Sequence, residues 1–248
     1  LSIQFGGLKA LQELSFSIPE KTVFSIIGPN GAGKTTFFNI VTGIYRPTGG
    51  DVRLYGESIV GLEPSRIVER GVCRTFQNIR LFQNLTVLEN VMIGRQLHER
   101  TGLGDILLRT QRFRAQEAET LDRAAEILDY VGILDDANAL AKNLPYGRQR
   151  RLEIARALAT APRLLLLDEP TAGMNPSESE EMVQLFQRIC EERGVCVLMI
   201  EHDMKVVMGV SQRILVLNFG RQIALGSPRE VLENEEVITA YLGHQKVM

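Results

Sequence analysis

Four short apolar runs punctuate the chain, and three of them stop where polar chemistry begins. Thr22-Val-Phe-Ser-Ile-Ile27 runs into a glycine-rich loop, Arg163-Leu-Leu-Leu-Leu167 into Asp168-Glu169, and Val195-Cys-Val-Leu-Met-Ile200 into Glu201-His202. Ile214-Leu-Val-Leu217 is the fourth. Runs of this length without apolar-polar alternation predict strands buried on both faces, and helical segments between them predict a parallel sheet. Ligands on such sheets collect beyond the carboxyl ends of the strands, where all three polar clusters fall.

The helices between the runs carry start and stop signals. Lys34 to Thr42 ends at Gly43 with Pro47 soon after. Asn175-Pro176 predicts a cap for the next helix, whose apolar positions Met182, Leu185, Phe186 and Ile189 repeat at helical spacing as far as Gly194. Residues 86–160 have an almost wholly helical pattern, with Leu121, Ala124, Ala125, Leu128 and Val131 as one apolar stripe. This predicts a helical subdomain over 86–160, inserted into a core formed by 1–85 and 161–248. Thr48-Gly-Gly-Asp51 followed by Val52-Arg-Leu-Tyr55 predicts a turn and hairpin, joined with the N-terminal strand in a small antiparallel sheet.

Composition narrows the class. The 248 residues suit one domain with attached subdomains. With 28 Lys and Arg against 30 Asp and Glu, the chain has no electrostatic footprint for nucleic acid. Cys73, Cys190 and Cys196 lack metal-ligand spacing and are expected to be small buried hydrophobes in a reducing cytosol. No apolar run reaches the length of a membrane span and no signal peptide is visible, so a membrane role calls for another chain.

Gly28-Pro-Asn-Gly-Ala-Gly-Lys-Thr35 satisfies G-x-x-x-x-G-K-[S/T] in full, between an apolar strand and a helix. Backbone amides of such a loop face phosphate oxygens, and the helix adds its positive N-terminal end. Gly28, Pro29, Asn30, Gly31, Ala32, Gly33, Lys34, Thr35 and Thr36 are the candidate ATP-binding residues. Lys34 is expected to reach the β- and γ-phosphates, and the Thr35 hydroxyl to hold Mg²⁺ with the ATP. Asp168 and Glu169 place two carboxylates at a buried strand's end. Asp168 suits the metal's ligand shell, and Glu169 the general base that deprotonates the attacking water.

Leu144-Pro-Tyr-Gly-Arg-Gln-Arg-Arg-Leu-Glu-Ile-Ala-Arg-Ala-Leu158 resembles the signature motif of ABC ATPases, with Gly147 21 positions before Asp168. The strings FGGLKAL, RTFQNIRLFQNLTVLENV, RRLEIARAL, DEPTAGMNP, IEHDMKVVM and the ending AYLG look like the ATP-binding subunits of branched-chain amino-acid importers. The resemblance spans the chain. It implies an α/β fold, a P-loop (RecA-like) parallel sheet core with an antiparallel β subdomain and an inserted helical subdomain. It implies that Phe5 stacks on adenine, that Gln77 touches Mg²⁺ and the water, and that His202 is the switch histidine at the γ-phosphate. It further implies a head-to-tail dimer with an identical or paralogous ATPase chain, in which Tyr146 and Gly147 contact the partner's ATP. Transmembrane permease subunits, and through them a substrate-binding protein, complete the expected assembly on the cytoplasmic face of the membrane. Leu81 and Phe82 are either contacts for a permease coupling helix or ordinary core.

Two departures accompany the likeness. Pro145, Tyr146 and Arg148 replace the usual Ser, first Gly and Gln of the signature, and Asn175 replaces a loop aspartate. The competing expectations are the ATPase of a lipopolysaccharide-type exporter, similar along much of the chain, and a soluble non-transport ABC ATPase. The latter usually has a coiled-coil insertion or two fused units. His98 and His244 match no motif and are expected at the surface.

Overall fold

The computed structural model describes residues 1–98, 105, 108 and 110–242. Its strands are β1 (Ile3–Phe5), β2 (Leu8–Leu11), β3 (Val23–Ile27), β4 (Arg53–Leu54), β5 (Glu57–Ser58), β6 (Val72–Arg74), β7 (Leu164–Asp168), β8 (Cys196–Ile200), β9 (Arg213–Asn218) and β10 (Arg221–Gly226). The described helices are α1 (Lys34–Val41), α2 (Pro64–Glu69), α3 (Val87–Arg95), α4 (Gln111–Tyr130), α5 (Tyr146–Ala159), α6 (Pro176–Arg193), α7 (Met204–Val210), α8 (Pro228–Leu232) and α9 (Glu235–Leu242). The chain divides into two compact units, Leu1–Arg74 with Arg163–Met248, and Thr75–Pro162.

The four apolar runs form the heart of the first unit. Strands lie in the order β10-β9-β3-β8-β7-β6, parallel except for the antiparallel β9–β10 pair at one edge. Every residue of β3, β7 and β8 is buried. Phe24, Ile26, Leu215 and Leu217 turn to one face, where Phe37 and Phe38 of α1 cover them. Ile27, Ile214 and Val216 turn to the other, against Val207 and Val231. Each such side chain contributes about 1.5–3 kcal/mol relative to exposure, which is why strands without polar positions suit this sheet. Cys190 and Cys196 join this interior, while Cys73 is partly exposed. Burial pushes the Cys196 thiol up to about 11.

The antiparallel portion differs from the expected single sheet. The N-terminal strands β1 and β2 form one two-stranded ladder and β4 and β5 another, with a Ser2–Gly49 bridge and bonds from Thr48 to the Ser2 carbonyl tying the first to the turn before the hairpin. Strands of two residues end the ladder before it can extend.

In the second unit, Thr86 caps α3 in a reciprocal capping box with Glu89. The stripe on α4 is shifted from the expected one: Leu121 is exposed, and the buried positions are Thr120, Ala124, Ile127 and Leu128, followed by Val131. Leu121 and Ile127 lie on opposite flanks of the Ala124–Leu128 stripe, and burial follows the flank that carries Ile127. His98's side chain and His244 lie outside the described residues.

Candidate active site

The loop between β3 and α1 is a backbone cradle. Gly28 adopts a φ of 148°, and a Cβ there would stand 2.1 Å from the Leu217 carbonyl oxygen of β9, so only glycine fits. Gly33 is the N-cap of α1 and offers no side-chain cap, which leaves the first amides of α1 without one. The Ala32 carbonyl accepts from Gly220 N–H in the β9–β10 turn. Thr35 and Asn30 are exposed at the loop's mouth, while Ala32 is buried beneath it.

Lys34 Nζ donates to the carbonyls of Gly28 at 2.6 Å and Pro29 at 3.0 Å. Burial pushes its ammonium below the ordinary value, against the opposing pull of Glu169 and then Asp168. The two strand-end carboxylates therefore lie within electrostatic reach of the loop lysine. This joins clusters that are far apart in sequence.

Asp168 closes β7 and is buried, its Oδ2 accepting from Arg74 Nη2 at 2.7 Å. Arg74 Nη1 donates to Asn39 Oδ1 at 2.7 Å, and its guanidinium lies 5.3 Å from the centre of the Phe38 ring. Glu169 follows with a φ of 49°, uncommon for a non-glycine residue. Its amide donates to the Ile200 carbonyl at 2.9 Å, which ties the loop after β7 to the end of β8. His202 Nδ1 stands 3.8 Å from Glu169 Oε2 on a largely exposed side chain.

Two buried contacts here are not written in the sequence. Arg74 looks ordinary there and Glu201 stands out only as a polar residue after its apolar run; strand register brings them to Asp168 and to Thr171. Asn175, the departure in the following loop, accepts from Glu178 N–H at its side-chain oxygen and donates its own backbone N–H to the Glu178 carboxylate, a reciprocal cap on α6.

Phe5, at the end of β1, is 44% exposed and meets Tyr45 edge-on with centroids 5.2 Å apart, which places it outside the core. In the second unit Gln77 is exposed, and its carbonyl accepts from Arg150 Nη2 at 2.9 Å. Arg150 is fully buried and also donates to the Phe76 carbonyl, to Glu153 and to the Tyr146 hydroxyl. Pro145 is the N-cap of α5, with Tyr146 and Gly147 in its first turn and no side-chain cap. Phe82 is exposed, with Arg156 5.6 Å from its ring centre, so core burial does not account for it.

Residues 11–172 match the ABC transporter family, and residues 221–247 match the branched-chain amino acid ATP-binding cassette transporter family. The chain is 49% identical over 98% of its length, and 95% of the relative's, to the high-affinity branched-chain amino acid transport ATP-binding protein LivG of Salmonella typhimurium. The structure resembles the ADP conformation of an ATP-binding cassette of an ABC transporter, with a TM-score of 0.84 and 29% identity over 98% of this chain and 96% of that one. It also resembles a dimeric bacterial ABC transporter cassette, with a TM-score of 0.75 and 29% identity over 92% of this chain and 95% of that one. The phosphate cradle, the strand-end acids and these likenesses agree: the chain belongs to the ABC transporter family as an ATP-binding, ATP-hydrolysing cassette related to the branched-chain amino acid transport ATP-binding proteins.

Proposed function

We propose that this chain powers import of branched-chain amino acids by hydrolysing Mg-ATP between itself and a second ATPase chain. The observation that carries the site reading is the phosphate-loop cradle, packed so closely on the Leu217 carbonyl that only glycine fits at Gly28, with Lys34 Nζ resting on the Gly28 and Pro29 carbonyls. The cargo reading rests on the identity with LivG and on the C-terminal match.

The residues fit an ATP-bound magnesium ion. Thr35 and Asp168 offer hard oxygen donors, and among the described residues no cluster of three or more His, Cys, Asp or Glu forms a protein-only cage. Magnesium is commonly held by few carboxylates together with substrate phosphates. When bound, the ion neutralises phosphate charge and orients the β- and γ-oxygens.

Phe5 stacks on the adenine, and the backbone N–H groups of the loop from Asn30 to Thr36 enclose the phosphates. Lys34 exchanges its two carbonyl partners for phosphate oxygens. Glu169 takes the proton of the attacking water as that oxygen bonds to the γ-phosphorus. The bond to the β-phosphate oxygen breaks, leaving ADP and phosphate, while His202 donates to the transferred group. Gln77 would touch Mg²⁺ and the attacking water and sense the transport partner, and the 75–162 unit is the helical subdomain that presents Tyr146 and Gly147 to the partner's ATP. Permease subunits dock beside Gln77, with Phe82 as a contact. Among the described residues no helix is long and apolar enough to cross a membrane, which agrees with a peripheral place on a membrane complex.

The test is Glu169→Gln, whose amide cannot accept the proton. ATP binding should persist while turnover falls about 10²–10⁴-fold, and ATP-dependent dimers should accumulate on gel filtration. Near-normal hydrolysis would remove Glu169 from the role. Cargo is tested separately: cells that express the chain with its permease subunits should take up labelled leucine only when Lys34 is intact.

A further inference from the structure

Glu201 directly follows β8 and is 1% exposed. A buried carboxylate is unfavourable unless its oxygens are satisfied, and this one divides them between two loops. Oε1 accepts from Thr171 N–H at 3.0 Å and from the Thr171 hydroxyl at 2.5 Å, in the loop after β7. Oε2 accepts from His202 N–H at 3.0 Å and Asp203 N–H at 3.5 Å, in the loop after β8. Among the described residues, the basic side chain within 4 Å is that of His202, with Nδ1 3.9 Å from Oε2.

The loops it joins carry Glu169 and His202. Glu169 holds a φ of 49°, a conformation that persists only where the surroundings fix it. On the amino-terminal side β7 fixes it, with Asp168 opposite Ile200 and the Glu169 amide bonded to the Ile200 carbonyl. On the carboxyl-terminal side Thr171 is fixed by Glu201. The same carboxylate holds the His202 amide, so the 3.8 Å separation of Glu169 and His202 is set from beneath.

We propose that Glu201 is a positioning residue for ATP hydrolysis: one carboxylate that locks the loop of the general base to the loop of the switch histidine. The proposal rests on the roles of Glu169 and His202 given above. Glu201 itself is enclosed and acts through Thr171 and the His202 and Asp203 amides.

The test uses the purified full chain, with turnover measured beside the affinity for a fluorescent ATP analogue. Glu201→Gln keeps the size but turns one oxygen into a donor, which must face either the Thr171 or the His202 amide. A misplacement of about 1 Å can reduce turnover about 100-fold, so kcat should fall roughly 10–100-fold while nucleotide affinity stays within about twofold, because the phosphate loop is untouched. Thr171→Val removes only the hydroxyl and should lower kcat less, again with affinity unchanged. In the double variant the Thr171→Val effect should shrink, since both act through one contact.

Unchanged kcat in Glu201→Gln, parallel loss of kcat and affinity, or multiplicative effects in the double variant would each overturn the proposal. If Glu201→Gln does not fold, Thr171→Val decides: a selective kcat loss supports the strap, and none overturns it. Glu169→Gln run alongside separates the two levels. Full turnover there sinks the general-base reading, whereas loss there with full turnover in Glu201→Gln sinks only the strap.

Discussion

Arg74 and Asp168 form an ion pair at 2.7 Å in which both side chains are about nine-tenths buried. Breaking a buried pair leaves a desolvated charge, typically at about 3–5 kcal/mol. Arg74→Met should therefore lower stability by about that amount in denaturant titration, and adding Asp168→Asn should recover much of it. If Arg74→Met alone is neutral, the pair does not hold in solution.

The depressed Lys34 ammonium carries a pH signature. With a folded pKa below the ordinary lysine value of 10.5, the unfolded chain binds more protons between the two values. Wild-type stability relative to Lys34→Met should thus rise as pH climbs through that window toward 10.5, and be level well below it. Paired melts across pH read this directly. A difference that stays flat to pH 10.5 would show that the lysine is not desolvated. Lys34→Met should also lose most ATP affinity at neutral pH.

Two glycines of the phosphate loop should respond differently to the same methyl group. At Gly28 a Cβ collides with the Leu217 carbonyl, so Gly28→Ala must shift β9 or the loop, and ATP binding should vanish. At Gly31 nothing lies within 4 Å of the added Cβ, and only its φ of 79° opposes alanine, at about 1–2 kcal/mol. Calorimetry of ATP binding should find Gly31→Ala weakened but active. Equal loss in both would mean that the cradle is not shaped by β9.

The start of α5 tests the dimer. Pro145 has no hydroxyl to donate, so a partner's phosphate would be met by the amides of Tyr146 and Gly147 with the helix's positive end, an interaction of roughly 0.3–2 kcal/mol from the dipole. Pro145→Ser should leave turnover intact or raise it modestly. Gly147→Asp should still bind ATP as a monomer, yet fail to dimerise or hydrolyse. Wild-type turnover from Gly147→Asp would end the sandwich arrangement.

Much of this was legible in the sequence because it is written contiguously. The strand, loop and helix around Gly28–Thr35 are one uninterrupted string, and Asp168-Glu169 follows its strand directly. Asn175 announced its cap because Pro176 and Glu178 stand beside it. What stayed hidden depends on partners set by register. Arg74 reaches Asp168 because β6 lies beside β7, and Glu201 reaches Thr171 because β7 lies beside β8. Nothing local distinguishes Arg74, and Glu201 shows locally only as half of the polar pair after its apolar run, not as a partner of Thr171. The helix stripe failed at Leu121 for a related reason: two apolar faces overlap on α4, and periodicity does not choose between them.

The strand order also bears on how the chain comes into being. The strand that feeds the phosphate loop, β3, is flanked by β8 and β9, which are encoded about 170 residues later. At about 5–20 residues per second, a ribosome needs on the order of ten seconds or more to supply them. Through that interval the most apolar segment of the amino-terminal third has neither edge paired and invites association with other chains. The intervening Thr75–Pro162 stretch is complete well before then, so the nascent protein emerges with its nucleotide cradle as the last part to be enclosed.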